Sequence, residues 1–380
     1  MIRSLRKLNI KQKKVLLRLD LDIPLKESLM TIGQLLDQEA KLIIILGSSR
    51  NVSVNPRWVA ERLREMLKLP IHFWTESLTG TELGFKLKAN HPSGILVLDN
   101  LSVYPSEKEN DEEFGEYLAK LGDLYINEAF SLSEQNWASL VQTPKHLPRA
   151  AGLNFFKEVQ MLTIKKPEPV VAISGGVNIL PSLKFILGSL RQGYAVLVGG
   201  KIADIILRVK GLAPGKAWPS EEIVELVNSL ELTNPKLHLP VDAVVAPDYS
   251  EETYTRISAL GKVRKEEDVL DIGPSTVEMF SKVIEKAQTI IWHGPLGFCE
   301  RPTFNHGTKE IALAMTRNTN GYKIVGGEET VHYLRSFGLD DKMSFISQSG
   351  TAMMALVIGE KLPAIEALQT KLASTYVKKN

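Results

Sequence analysis

Short β-rich apolar runs alternate with amphipathic stretches along nearly the whole chain. The first half contains VLLRLD, LIIILG, IHFW, ILVLDNL and LYINEAF, and the second PVVAISGG, AVLVGG, LPVDAVVA, TIIWHGP, KIVGG and MSFISQSG. Runs without regular polar alternation predict strands covered on both faces, as in parallel sheets flanked by helices. Between them, stretches such as PRWVAERLREMLK carry apolar residues at helical spacing, and Pro56 suits a first turn. The predicted class is α/β, with two doubly wound parallel-sheet (Rossmann-like) domains. FFKEVQMLTIKK, residues 155–166, reads as an amphipathic helix that ends before Pro167 and joins them.

Length agrees with this, since 380 residues exceed what one hydrophobic core usually serves. A formal charge of +2 from 46 basic and 44 acidic residues supplies no global attraction for nucleic acid or an anionic membrane. No apolar run is long enough to span a bilayer. The single cysteine, Cys299, cannot form an internal disulfide, and the basic start MIRSLRKLNIKQKK lacks an apolar signal region. The expected location is cytoplasmic.

Candidate chemistry lies where the second-half strands end. Gly175 and Gly176, Gly199 and Gly200, Gly294 and Gly297, Gly326 and Gly327, and Gly350 follow successive predicted strands. Open sheets bind ligands at the carboxyl ends of their strands, and a glycine turn leading into a helix presents backbone N–H groups to phosphate. The pattern predicts a nucleotide site, although neither GxxxxGK[ST] nor GxGxxG occurs. Zinc and hydrolase readings lack support, because CxxC, HExxH and GxSxG are also missing. In IVGGEET, Glu328 and Glu329 stand at the helix start, where two carboxylates either hold a metal or fill the anion site themselves.

The stretches VLLRLDLDIPL, LDNLSVYPSEKENDEEF, LYINEAF, LPVDAVVA, DIGPSTVEMF, WHGPLGFCE and YKIVGGEET resemble phosphoglycerate kinase in the same order and at nearly the same spacings. The resemblance runs from about Lys13 to Leu368. It implies the phosphoglycerate-kinase fold, with a phosphoglycerate-binding-type domain at 1–154, the linking helix at 155–166, a nucleotide-binding-type domain at 167–358, and a segment 359–380 returning toward the first domain. It also implies a monomeric glycolytic enzyme whose hinge closure brings two small molecules into line. Phosphate passes reversibly between 1,3-bisphosphoglycerate and ADP, with Mg2+ accompanying ADP or ATP and an anionic triose acid on the other side. By resemblance, Asp20, Asp22 and Arg50 bind the substrate, and Arg50 and Gly350 are catalytic. The nucleotide falls to Gly175, Gly176, Gly199, Gly200, His293, Glu300, Gly326, Gly327, Glu329 and Thr330, and the metal to Glu329.

The chain departs from the family pattern at several of these places. Asp22 replaces an asparagine, and the loop carrying the family's phosphate-stabilising arginine is missing after IPLKE. Basic positions of the substrate cluster fall on Gly47, Ser102, Glu134, Gln135 and Trp137, which leaves Arg50. Arg18, Lys26 or Lys145 are candidates to replace the lost charge, while Trp137 is expected to pack on a neighbour. The lysines after the first glycine pair fall on Asn178 and Ser182, with Lys184 and Lys201 as replacements. His293 stands for the asparagine of Trp-Asn-Gly-Pro, as a phosphate donor or a helix-dipole partner. Glu328 replaces a glycine, and only Gly350 remains of a three-glycine run. Such losses predict a poor phosphoglycerate kinase, and they leave two alternatives: an inactive relative with a binding or regulatory role, or a nucleotide-dependent enzyme with a less anionic substrate.

Overall fold

The computed structural model describes residues 2–50, 55–74, 78, 94–213, 218–250 and 252–369. The chain divides into two compact units, residues 1–160 with 361–380, and residues 161–360.

The first unit is built on a six-stranded, all-parallel sheet: β1 (Lys14–Asp20), β2 (Lys41–Gly47), β3 (Ile71–Phe73), β4 (Ile95–Asn100), β5 (Leu124–Asn127) and β6 (Arg149–Ala151), in the order β3-β4-β2-β1-β5-β6. Strand period 2 sorts the side chains of β1: Val15, Leu17 and Leu19 join Leu42, Ile44 and Leu46 in one core cluster. Arg18 therefore points to the opposite face, and it too is fully buried. There it meets the fully buried Glu107 at 3.6 Å, and its Nε donates to Ser139 Oγ at 2.8 Å. The helix Pro56–Leu67 starts as its sequence suggests, with Asn55 Oδ1 accepting from Arg57 N at 2.9 Å. The helix Pro363–Leu368 belongs to this unit, and its Ala364 packs in a small cluster with Trp137 and Leu140. Residues 370–380 of the expected returning segment lie outside the described residues.

Residues expected to form the linking helix at 155–166 form a helix from Leu153 to Thr163. One of its ends is held by a side chain distant in sequence and the other by a local one. Glu128 accepts from Asn154 N and Phe155 N, both at 3.2 Å, which satisfies N–H groups of the first turn. At the other end Lys166 Nζ donates to Met161 O at 2.7 Å and Ile164 O at 2.8 Å.

The second unit contains a six-stranded parallel sheet in the order β15-β14-β13-β7-β8-β9, comprising β7 (Val170–Ser174), β8 (Ala195–Val198), β9 (Leu237–His238), β13 (Thr289–His293), β14 (Tyr322–Gly326) and β15 (Phe345–Ile346). The run LPVDAVVA does not join it. Its strand β10 (Asp242–Ala246) lies between β11 (Arg256–Ala259) and β12 (Asp268–Ile272) in a separate antiparallel sheet. The reason is connection length. Only residues 247–255 separate β10 from β11, too few for the crossover a parallel pair requires.

Strand order reverses between β1 and β5 in the first sheet and between β7 and β13 in the second. These switch points leave crevices at the carboxyl ends of the strands, where ligands of open α/β sheets bind. No helix among the described residues is long and apolar enough to cross a membrane.

Candidate functional site

At the switch point of the second unit, Ser174, His293 and Gly326 are aligned in register at the ends of β7, β13 and β14. The loops that follow make unusually close backbone contact. A side chain at Gly175 would fall 2.7 Å from Gly294 O, and one at Gly200 would fall 2.7 Å from Gly176 N. The amides are committed as well: Gly175 N donates to His293 O at 2.8 Å, Gly176 N to Pro295 O at 2.7 Å, Gly199 N to Ser174 O and Gly200 N to Leu296 O at 2.9 Å. These two glycine pairs therefore provide proximity between loops, with their N–H groups already bonded to protein.

A cavity of about 330 Å³ opens beside them. Gly176, Gly200, Lys201, Glu300 and Glu329 line it, with Tyr249 and Phe298 as an aromatic wall. Those two rings lie 4.9 Å apart and tilted. The size is at the lower end for small-molecule sites, and the mix of apolar wall and few polar groups is characteristic of them. Of the candidate lysines, Lys201 reaches the cavity but pairs with the buried Asp204 at 2.7 Å, and Lys184 is exposed on the helix Ile179–Arg191.

The helix Glu328–Ser336 begins at Gly327, whose φ of +94° favours glycine. Thr330, in its first turn, accepts from Gly294 N at 2.8 Å and ties β13 to this helix. Burial raises the Glu329 carboxyl above its ordinary range, and the charges of Glu300 and Glu328 raise it further. Glu300 and Glu329 thus set two carboxylates on this wall beside Lys201. A hard cation fits carboxylate oxygens, and Mg2+ needs few protein ligands because phosphate and water complete its shell. Glu329 would hold it. Among the described residues no group of three or more His, Cys, Asp and Glu gathers to form a cage.

His293 occupies a different position. The residue is 7% exposed, and its Nδ1 lies 3.3 Å from Gly326 O. Burial pushes its pKa down to about 4, so the imidazole is neutral at pH 7. The helix Gly350–Val357 starts beside it, capped by Ser349, whose Oγ accepts from Ala352 N at 3.2 Å.

In the first unit, hydroxyls and carboxylates from several loops satisfy one another at the switch point. Asp20 Oδ1 accepts from Asp22 N at 2.7 Å, and its Oδ2 accepts from Ser131 Oγ, across from β1 to the loop after β5. Asp22 accepts from Ser48 Oγ and, at 2.7 Å each, from Ser49 N and Ser49 Oγ. Ser102 Oγ donates to Ser48 O at 2.9 Å. Arg50 is exposed, with its N–H donating to Ser48 Oγ at 3.1 Å. Arg18 is committed to Glu107, Ser139 and Leu19 O, and Lys145 to Gln142. A side chain at Gly47 would displace the Arg18 guanidinium, which a Cβ there would meet.

Sequence reading passed over the serines at 48, 49 and 131, and over Tyr249, Phe298 and Asp271 on the cavity wall. The serines had a usable signal, since SSR and FSLS directly follow predicted strands whose loops face a crevice. The cavity residues had none, because they come from separate sheets and loops.

Each buried carboxyl contributes a pH dependence of definite sign, and His293, held down at about 4, contributes one of the opposite sign. Burial raises Asp20 to about 6, and Glu128 and Asp271 to about 7. Each holds its proton to higher pH in the folded state than in the unfolded chain, so its contribution to stability is greatest below the unfolded value and is lost as pH rises to about 7. For Glu128, moved from 4.5 to about 7, the loss is about 3 kcal/mol. Between pH 4.5 and 7.5 the urea midpoint of Glu128→Gln is expected to gain on that of the unchanged protein as pH rises, because the variant lacks this downward contribution. Equal slopes for the two proteins would refute the assignment to Glu128.

Two parallel sheets, each with its loops gathered at the carboxyl ends of its strands around a switch point, define a two-unit α/β protein of the doubly wound class. The chain belongs to the phosphoglycerate kinase family, whose profile matches residues 5–360. The phosphoglycerate kinase of Dictyoglomus turgidum is 33% identical over 392 residues, covering 97% of this chain and 99% of that protein. That of Rubrobacter xylanophilus is 35% identical over 387 residues, covering 96% and 98%. Among solved structures, phosphoglycerate kinase from Coxiella burnetii matches with a TM-score of 0.81 at 27% identity, over 97% of this chain and 99% of that one. The Pyrococcus horikoshii OT3 enzyme matches with a TM-score of 0.80 at 26% identity, over 97% and 98%.

Proposed function

We propose that the second unit binds a magnesium adenine nucleotide and that the chain transfers phosphate between 1,3-bisphosphoglycerate and ADP, slowly. The observation that carries this reading is the cavity at the β7/β13 switch point, with Glu300 and Glu329 both on its wall. Tyr249 and Phe298 cover the base, Glu300 accepts from the ribose hydroxyls, and Glu329 holds the cation beside the phosphates. The cation, when bound, neutralises charge on the phosphate oxygens. Arg50 supplies the positive charge for the triose acid in the first unit. The rate is low because a transition-state arginine is worth about 10³ to 10⁵ in phosphoryl transfer, and the chain lacks the loop that would carry one.

A ligand that binds only the folded state raises its stability by about 2.7 kcal/mol at a hundredfold excess over Kd. The melting temperature is therefore expected to rise by several degrees with ADP and Mg2+ together, and Glu329→Ala is expected to abolish the magnesium-dependent part. A shift indifferent to magnesium would remove Glu329 from the metal role.

A second reading is favoured by Asp22, a carboxylate held by Ser48 and Ser49 beside the place where an anionic acceptor would bind. In that reading the nucleotide site serves a binding role or a less anionic acceptor. Stabilisation by magnesium ADP without turnover of 3-phosphoglycerate and magnesium ATP selects it.

A further inference from the structure

The second unit has two sets of glycine turns at its sheet edge, and only one set opens onto the cavity. Gly176 and Gly200 line that space with Glu300 and Glu329, whereas its described wall includes neither Gly327, Gly350 nor His293. The imidazole of His293 stands at the second set. A side chain at Gly327 would fall 2.7 Å from its Nδ1, and one at Gly350 would collide with its Cε1. The same carbon at Gly350 would lie 2.9 Å from Gly327 Cα, so the two turns are close and the ring lies across both. Nδ1 faces Gly326 O, and Nε2 has no protein partner among the described residues.

Those turns begin the helices Glu328–Ser336 and Gly350–Val357. Their first N–H groups and positive dipole ends are the natural seat for the far end of a phosphate chain. A buried, neutral ring beside that seat offers no charge to the anion and fills the space a Cβ at either turn would take. Glu328 and Glu329 add negative charge in the first turn of one of these helices.

We propose that His293 is a specificity-determining residue that closes the terminal-phosphate end of the nucleotide site, so that the second unit recognises the nucleoside and its first phosphate and gains little from the phosphates beyond. The proposal rests on the nucleotide reading above. It accounts for a cavity wall that reaches the helix Glu328–Ser336 through the Glu329 side chain and not through the turn at Gly327, and it makes the phosphate chain length the quantity that His293 controls.

Titration calorimetry with AMP, ADP and ATP, each with Mg2+, tests it on the full chain. In the unchanged protein the three affinities are expected within about tenfold of one another, a span of 1.4 kcal/mol. In His293→Ala and in His293→Asn, ADP and ATP are expected to bind about tenfold tighter or more while AMP changes less than about twofold. The Asn variant keeps a planar polar group against the turns, so a folding defect in the Ala variant leaves the measurement intact. The proposal is overturned if the unchanged protein already prefers ATP to AMP by about a hundredfold, or if either folded variant binds ATP no better. AMP binding that persists without any gain for ADP or ATP overturns the role of His293 alone. Absence of binding by all three nucleotides in every protein overturns the nucleotide reading together with it.

Discussion

Arg18→Ala is expected to destabilise the first unit by about 3–5 kcal/mol, the usual consequence of stranding one member of a buried ion pair. Glu107 has no exposure to water, and its carboxyl is raised by burial, an effect that Arg18 opposes. Without the guanidinium, the carboxylate keeps, among the described residues, Ser139, through its N–H at 2.8 Å and its hydroxyl at 2.5 Å. Replacing both partners, as Arg18→Met with Glu107→Leu, removes the charge and keeps volume, so the double variant is expected to recover most of the loss. Urea unfolding of the three proteins decides the matter, and a loss below about 1 kcal/mol for Arg18→Ala would be the value of an exposed pair. The same geometry explains why the candidate role of Arg18 as a replacement substrate cation does not agree with its position. Its charge is neutralised inside the sheet layer, and it occupies the space beside Gly47.

Arg50→Ala is expected to lower kcat/KM for 3-phosphoglycerate by about 10² to 10³, the range for loss of one charge-stabilising donor. Arg50 is the remaining basic residue of the substrate cluster that the resemblance defines, and its backbone is positioned by Ser48. A coupled assay with magnesium ATP measures the ratio, and the nucleotide-dependent rise in melting temperature should be unchanged, because Arg50 lies in the first unit. A ratio near one would mean that the acceptor is held by other groups. Effects of this kind do not add across a constellation, so combining Arg50→Ala with Glu329→Ala is expected to lose less than the product of the two.

Much of the fold was legible in the sequence because burial on both faces leaves a local signature. VLLRLD, LIIILG and TIIWHGP each contain a strand of the predicted kind, and the glycines that follow successive strands do lie along neighbouring loops of one sheet edge. LPVDAVVA shows the limit of that signature. Its apolar run specifies a buried strand, while its antiparallel pairing with β11 depends on the short connection between the two.

The candidate site divides along the same line. By itself the sequence determined which residue types end each strand: glycines, two carboxylates at 328 and 329, a histidine where the resemblance has asparagine, and a substrate loop depleted of basic residues. Those are properties of chain order, as are the ordered motifs on which the family membership rests. Only the tertiary structure decided what each group faces. The Gly175, Gly176, Gly199 and Gly200 amides are bonded to neighbouring loops, Asp22 is satisfied by Ser48 and Ser49, and His293 lies across the turns at Gly327 and Gly350. These partners are tens to more than a hundred residues apart, and whether a polar group is free for a ligand depends on which distant loop reaches it first. That competition between protein and ligand for the same donors and acceptors has no local trace in the chain.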